Sequence, residues 1–318
     1  MIQNKHLWII LLTVIAVAVL PTGGLAEGKK LRIVFNPPNM ALPWTAFTAH
    51  VAEKEGKKLG VDIILQDGQG SSSKQSSDLR NAVNQSFDGI VLTPNDVNAL
   101  VPAVNEVVDA NIPIVTVDRY VEGANKPVPH YGVDNVAGGA KMAKFVIDKF
   151  PNGAKIILLT GQPGSSSAID RAQGIRDTIK AVNDRYQLVA DQTANWSRAE
   201  ALTITQNILT SLGDPPDAIL ASNDDMALGA LQALQQAGIP KGKVVVLGYD
   251  AIPEGLAKVR DGELAATVEQ LPGQQVKNAV DALVAFLRDK KPLETLKLDP
   301  ILIEKNNLNQ AERISEVE

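Results

Sequence analysis

Short apolar runs and helix-spaced stretches alternate along this chain with few interruptions. Residues 31–35 are apolar apart from Arg32, and 43–59 carry apolar positions at helical spacing with Gly60 as a stop. The couplet returns as a strand over 61–65 with a helix over 74–85, then 89–92 with 97–110, then 112–117. A polar stretch at 122–129 breaks the rhythm, which resumes with 130–133 and a helix over 135–149. Further couplets follow at 155–159 and 169–181, 186–190 and 198–212, 218–221 and 226–237, 243–247 and 254–260, and 264–269 and 273–288. A last strand is predicted at 301–303, and the polar tail after Lys305 is expected to be loose. Strands separated by helices predict βαβ units with parallel pairing and right-handed crossovers. Runs such as Ile114-Val-Thr-Val117 show no polar alternation, the pattern of a strand covered on both faces.

The two halves are alike in plan, without residue-level repeats. The predicted class is therefore α/β, with two similar lobes, each a parallel sheet flanked by helices. The chain is expected to change lobes near residues 133, 270 and 299, giving a three-strand hinge. One lobe then comprises 27–133 plus 271–299, and the other 134–270 plus 300–318. The 318 residues are ample for two domains of ordinary size.

The first 26 residues change the picture of where the protein works. Lys5 provides a short positive region, residues 7–20 carry no charge, and Pro21 ends the run. Gly24-Leu25-Ala26 places small residues where a signal peptidase reads them. Fourteen residues are too few to cross a bilayer comfortably. The reading is a cleaved signal peptide, a mature chain starting at Glu27, and export to a bacterial periplasm. The mature net charge is about −6.

Composition removes several function classes. A net charge of −5 leaves no basic footprint for nucleic acid. The absence of cysteine removes disulfides, thiolate metal sites, cysteine nucleophiles and an N-terminal lipid anchor. Beyond residue 26 the only histidines are His50 and His130, neither at metal-ligand spacing, and both read as surface or capping residues. The loops at 68–74 and 161–167 are rich in glycine and serine but match neither the P-loop nor the dinucleotide fingerprint, so they read as helix starts. No nucleophile elbow occurs. The expectation is a non-enzyme with no cofactor and no metal.

Binding chemistry is better represented. Ligands of open α/β sheets sit beyond the carboxyl ends of the strands. Asp118 and Arg119 end one apolar run, and Tyr249 and Asp250 end another. Trp44 and Trp196 each stand after a strand where the next helix begins, one in each lobe. Flat indoles suit the C–H faces of a sugar, and acids and amides suit its hydroxyls.

Four segments together resemble the ribose-binding protein group, the type I periplasmic sugar-binding proteins that feed ABC transporters. They are Asp118-Arg119, Ser222-Asn-Asp-Asp-Met-Ala-Leu-Gly-Ala-Leu231, Leu247-Gly-Tyr-Asp250 and Ala266-Thr-Val-Glu-Gln-Leu-Pro272. The resemblance implies ligand contacts at Trp44, Trp196, Asp118, Arg119, Asn223, Tyr249, Asp250 and Gln270. Two departures stand out: Leu42 replaces an asparagine, and Ile169 replaces an arginine two residues before Arg171. Asn39 in the first lobe's opening loop and Thr45 beside Trp44 are further candidates. With Arg119 as the one matched cation against Asp118 and Asp250, a neutral polyhydroxylated ligand is favoured over a sugar acid. The implied function is capture of a neutral monosaccharide or polyol between the lobes and delivery to an ABC permease, by a protein expected to be monomeric. A sensory or quorum-signal protein docking on a chemoreceptor is the alternative. A repressor of the same core fold would need a DNA-reading helix-turn-helix where the signal peptide stands.

Overall fold

A computed structural model describes residues 30–182 and 184–317. The signal-peptide reading falls on residues 1–26 and lies outside the described residues. The chain from Leu31 onward forms one compact unit.

The first lobe opens with β1 (Arg32–Asn36), α1 (Pro43–Leu59), β2 (Asp62–Leu65), α2 (Ser72–Asn84), β3 (Gly89–Leu92), α3 (Val101–Asp109), β4 (Ile114–Val117) and β5 (His130–Val133). The second contains α4 (Asn135–Lys149), β6 (Ala154–Thr160), α5 (Ser166–Val182), β7 (Tyr186–Thr193), α6 (Arg198–Leu212), β8 (Ala218–Ala221), α7 (Asp224–Gln236), β9 (Val245–Tyr249), α8 (Pro253–Arg260) and β10 (Ala266–Glu269). The chain then returns as α9 (Pro272–Asp289) and β11 (Leu296–Leu298) before β12 (Ile301–Ile303). One sheet runs β2-β1-β3-β4-β5-β11 and the other β7-β6-β8-β9-β10-β12. All pairings are parallel except β10 with β12.

The continuous apolar runs follow from cover on both faces. In β1, Ile33 and Phe35 enter the core shared with α1 and α9, while Val34 enters the core under α2 and α3. In β6, Ile156 and Leu158 face α4 and α5, and Ile157 and Leu159 face α6 and α7. Polar residues at the strand-to-helix turns supply the helix starts. Ser71, Asp134, Ser197 and Asn223 accept from the backbone N–H three residues on, at 3.2, 2.9, 3.2 and 2.9 Å.

Three segments depart from the sequence reading. The helix expected from residue 97 starts at Val101, because Asp96 Oδ1 accepts from the N–H groups of Asn98 and Ala99 and turns the chain first. Strand β11 has no counterpart in that reading. The tail expected to be loose is instead packed: Ala311 is buried against Ala251, Leu256 and Ile303. Glu312 accepts from the backbone N–H groups of Gly273 and Gln274 at 2.7 and 3.0 Å, capping the start of α9.

Candidate functional site

The carboxyl ends of the strands of both sheets meet at a cleft. Loops of the first lobe touch the second directly across its rim. Val97 N–H donates to Gly164 O at 2.8 Å, and Gln162 Nε2 donates to Asn95 Oδ1 at 3.2 Å. The Tyr120 N–H donates to Ser166 Oγ at 3.0 Å, and its hydroxyl to Asp170 Oδ1 at 3.1 Å. The lobes are closely apposed there, and the free cavity between them measures only about 30 Å³.

Its walls are Leu42, Trp44, Thr45, Asp118 and Arg119 from the first lobe, and Ser167, Arg171, Trp196, Asn223, Asp225 and Asp250 from the second, with Gln270 at a crossing. Backbone strain concentrates on the same loops. Asp118, Asn195, Trp196, Asp250 and Leu271 all adopt positive φ, at 62°, 52°, 65°, 104° and 56°. A non-glycine residue holds that conformation only where its surroundings fix it, and such residues cluster at ligand sites. Here the fixing includes the strand ladders: Asp118 N–H donates to Tyr131 O at 3.1 Å and Asp250 N–H to Val268 O at 2.8 Å.

Arg171 is the hub. It is 2% exposed, and its Nε donates to Asn135 Oδ1 at 2.8 Å. Nη1 donates to Ser222 O at 2.8 Å and Asp250 Oδ1 at 3.2 Å, and Nη2 donates to Gln270 Oε1 at 3.2 Å. Asp118 Oδ1 of the other lobe lies 3.9 Å from Nη2. Gln270 Nε2 donates to Asp250 Oδ1 at 2.6 Å. Burial pushes the Asp250 carboxyl up to about 7, with Arg171 opposing and Asp118 adding to the rise. Burial likewise raises Asp118 against the pull of Arg119 and Arg171, and lowers Arg119. Two aspartates therefore face two arginines, a balanced set. Asp225 is already held by Arg198 at 3.0 Å.

Several of these groups are left with hydrogen-bonding capacity. Asp118 Oδ1, Arg119 Nε and Nη1, and the indole N–H groups of Trp44 and Trp196 are buried without a hydrogen-bond partner. Orphaned groups of this kind are rare in a core, because each forfeits its hydration. Two indoles lining one cleft with carboxylate and guanidinium atoms that lack hydrogen-bond partners suit a compact molecule rich in hydroxyls. Asn223 spends its Oδ1 on the cap of α7, so its amide nitrogen is what it can offer.

The sequence-predicted residues fall into two groups. Leu42, Trp44, Thr45, Asp118, Arg119, Trp196, Asn223, Asp250 and Gln270 are brought together on the cleft walls. Tyr249, Ile169 and Asn39 are not among them. Tyr249 is fully buried behind the wall, its ring centroid 3.6 Å from the guanidinium carbon of Arg171 and its hydroxyl donating to Asn135 Oδ1. Tyr249 is the last residue of β9 and faces α4, whereas Asp250 lies beyond the strand at φ 104° and lines the cleft. Ile169 is 46% exposed on the outer side of α5. Two helix positions lie about 200° apart around the axis, so an arginine at 169 would not reach the cleft. The cation thought missing is present at Arg171, and the count of one arginine against two aspartates is corrected to two against two. Asn39 is occupied in its own loop, where Oδ1 accepts from Ala41 N–H at 3.0 Å. Arg171 and Asp225 were not among the predicted contacts, and Ser167 belongs to the 161–167 loop, which the sequence reads as a helix start. The i, i+4 spacing of Ser167 and Arg171 on one helix face was the available signal.

His130 is not a surface residue: its ring packs edge-on against Tyr120 and lies 3.1 Å from Thr116 Oγ1. Burial lowers its pKa to about 4. Among the described residues no group of three or more histidine or carboxylate side chains is placed to hold a metal ion. A larger groove, about 690 Å³, runs over α7 and α8, but its charges are taken up by the pairs Arg198–Glu254 and Lys258–Glu263 and by Lys241 donating to Asp261 O. The chemistry favours the smaller site.

Comparison with known proteins agrees with this geometry. The family described as periplasmic binding protein domain matches residues 33–291. The ribose import binding protein RbsB of Bacillus subtilis is 36% identical over 244 residues, 77% of each chain. The crystal structure of the Caulobacter myo-inositol binding protein bound to myo-inositol superposes with a TM-score of 0.90 at 42% identity, covering 92% of this chain and 100% of that one. A solute-binding protein of Actinobacillus succinogenes with bound D-allose gives a TM-score of 0.81 at 30% identity, covering 88% and 99%.

Proposed function

The chain belongs to the periplasmic binding protein family, and on that premise we propose that it captures a neutral polyhydroxylated ring, an inositol or a monosaccharide, and delivers it to a membrane permease. The observation that carries the reading is the set of orphaned polar atoms on Asp118, Arg119, Trp44 and Trp196 around a charge-balanced cleft. Hydroxyl groups satisfy both the unpaired carboxylate oxygen and the unpaired guanidinium nitrogens, since each can donate and accept. A charged ligand would upset the match of two aspartates with two arginines and leave a buried charge uncompensated. Likeness to the myo-inositol binding protein, at 42% identity, supports a cyclic polyol in particular.

Capture follows from the placement of the donors. Asp118 and Arg119 belong to one lobe, and Arg171, Asn223 and Asp250 to the other. A ligand bridging them binds the closed arrangement better than an open one, so it shifts the population towards closure. The three crossings at β5–α4, β10–α9 and β11–β12 act as the hinge. The closed form is what the permease reads. Residues 1–26 act as a signal peptide that brings the mature chain to the periplasm.

A thermal-shift screen of inositols, alditols and neutral monosaccharides tests this, with calorimetry on the best hit. A ligand at 100 times its Kd adds about 2.7 kcal/mol to the native state. The expected result is a clear rise in melting temperature with at least one ring polyol. Sugar acids and amino acids are screened alongside, and stabilisation by those alone would overturn the reading.

A further inference from the structure

Gly161 stands directly after β6, is buried, and does not adopt a positive φ, so the backbone makes no demand for glycine there. Space makes the demand. A Cβ at this position would lie 2.1 Å from Cη2 and Cζ2 of Trp196 and 2.4 Å from Cε2. The indole occupies the volume of the missing methyl group. Ordinary contact begins at 3.4 Å, so an alanine would push the ring away from residue 161 by at least about 1.3 Å.

The ring has one direction in which to go. Its backbone is pinned by Ala194 N–H to Thr160 O at 2.9 Å, Ser197 N–H to Ala194 O at 2.8 Å, and Thr193 Oγ1 to Gly161 O at 2.8 Å. Behind it lie Leu159, Ala221 and Met226, each fully buried in one core. The cleft lies ahead, where the guanidinium groups of Arg119 and Arg171 stand 5.7 and 5.6 Å from the ring.

We propose that Gly161 is a positioning residue for ligand binding, which sets the depth of the cleft by seating the Trp196 indole one methyl group further back than any other residue would allow. It touches no ligand itself. It acts through Trp196 and rests on the proposed function above.

The test is a double-mutant cycle read by calorimetry with myo-inositol, or with D-allose or D-ribose if wild type takes one of those instead. Gly161→Ala should lower affinity about tenfold or more, while the same change in a Trp196→Phe background, where the smaller ring leaves room for the methyl group, should cost little. A purely structural glycine would cost the same in both backgrounds, and that result would overturn the proposal. Circular dichroism and melting of each apo variant establish folding. If Gly161→Ala alone is unfolded, recovery of folding and binding in Gly161→Ala/Trp196→Phe supports the seat, and failure of both variants to fold overturns it. If wild type binds none of the three, the cycle is run with the best hit of the thermal-shift screen; a screen without a hit defeats the sugar reading and this inference with it. Wild type that binds while the cycle shows no coupling defeats this inference alone.

Discussion

Replacing Asp250 by asparagine should alter stability in a way that depends on pH with a defined sign. The carboxylate is buried between Gln270 Nε2 at 2.6 Å and Arg171 Nη1 at 3.2 Å. Burial raises its pKa from 3.8 to about 7 despite Arg171. An acid whose native pKa lies above its unfolded value holds a proton that the unfolded chain releases. Its contribution to stability is complete below about pH 4 and is lost as pH rises through about 7. Some three pKa units at 1.36 kcal/mol each set an upper bound of about 4 kcal/mol on that loss. Asparagine does not titrate. The unfolding free energy of Asp250→Asn minus that of wild type should therefore move in the mutant's favour by up to about 4 kcal/mol between pH 4 and pH 8. A constant offset from the altered contact with Arg171 adds to this without changing the slope. Glu269, raised to about 7 by burial, works in the same direction, and His130, lowered to about 4, works in the opposite one between pH 4 and 6.5. Both are present in each protein and cancel in the difference. Urea denaturation of the apo proteins at unit pH steps is the assay. A difference that stays flat from pH 4 to pH 8 would refute the reasoning, because Asp250 would then titrate as an ordinary surface acid. In wild type, ligand affinity should fall as pH drops below about 7, since an ionised Asp250 is the better acceptor of a hydroxyl.

Arg171→Met should abolish measurable ligand binding by calorimetry and cost about 3–5 kcal/mol in urea denaturation, as expected when one partner of a buried ion pair is removed. Ile169→Arg, on the outer side of the same helix, should leave affinity unchanged and stability within about 0.5 kcal/mol of wild type. Glu312→Ala removes the carboxylate that caps α9 and should cost about 1 kcal/mol in chemical denaturation. Intact-mass measurement on protein from the periplasmic fraction should give a chain starting at Glu27; a mass that retains the first 26 residues would contradict the export reading.

The architecture was legible where one physical cause dominated. Gly89–Leu92 and Ala218–Ala221 read as strands because both faces of a central parallel strand are apolar. The helix Pro43–Leu59 was legible from proline at its start and Gly60, at φ 66°, past its end. Leu296–Leu298 was not legible. It is a three-residue edge strand with an exposed lysine at its centre, and its partner β5 lies far away in sequence. Among cleft-lining residues, Asp118 and Asp250 were legible because a charge that ends an apolar run marks a strand tip. Arg171 was harder to find, since its access to the cleft depends on the rotational phase of α5. The same phase turned Ile169 outward. Asn39 and Tyr249 lie within a few residues of cleft-lining positions, and sequence proximity could not tell which side of the loop or strand each would face.

The three crossings also govern when this protein can become itself. The first sheet needs β11, and the core beneath α1 needs Val276, Ala279, Val280 and Leu283 from α9. Both come from the last fifth of the chain. Synthesis delivers β1 to β5 early, yet that lobe stays open along one face until residues 272–298 arrive. Meanwhile residues 134–270 hold nearly all of the second lobe as one continuous piece. The lobe that begins first is thus completed late, and long-range closure of this kind is slow. A truncation after residue 270 should accordingly expose the first lobe to protease while sparing much of the second.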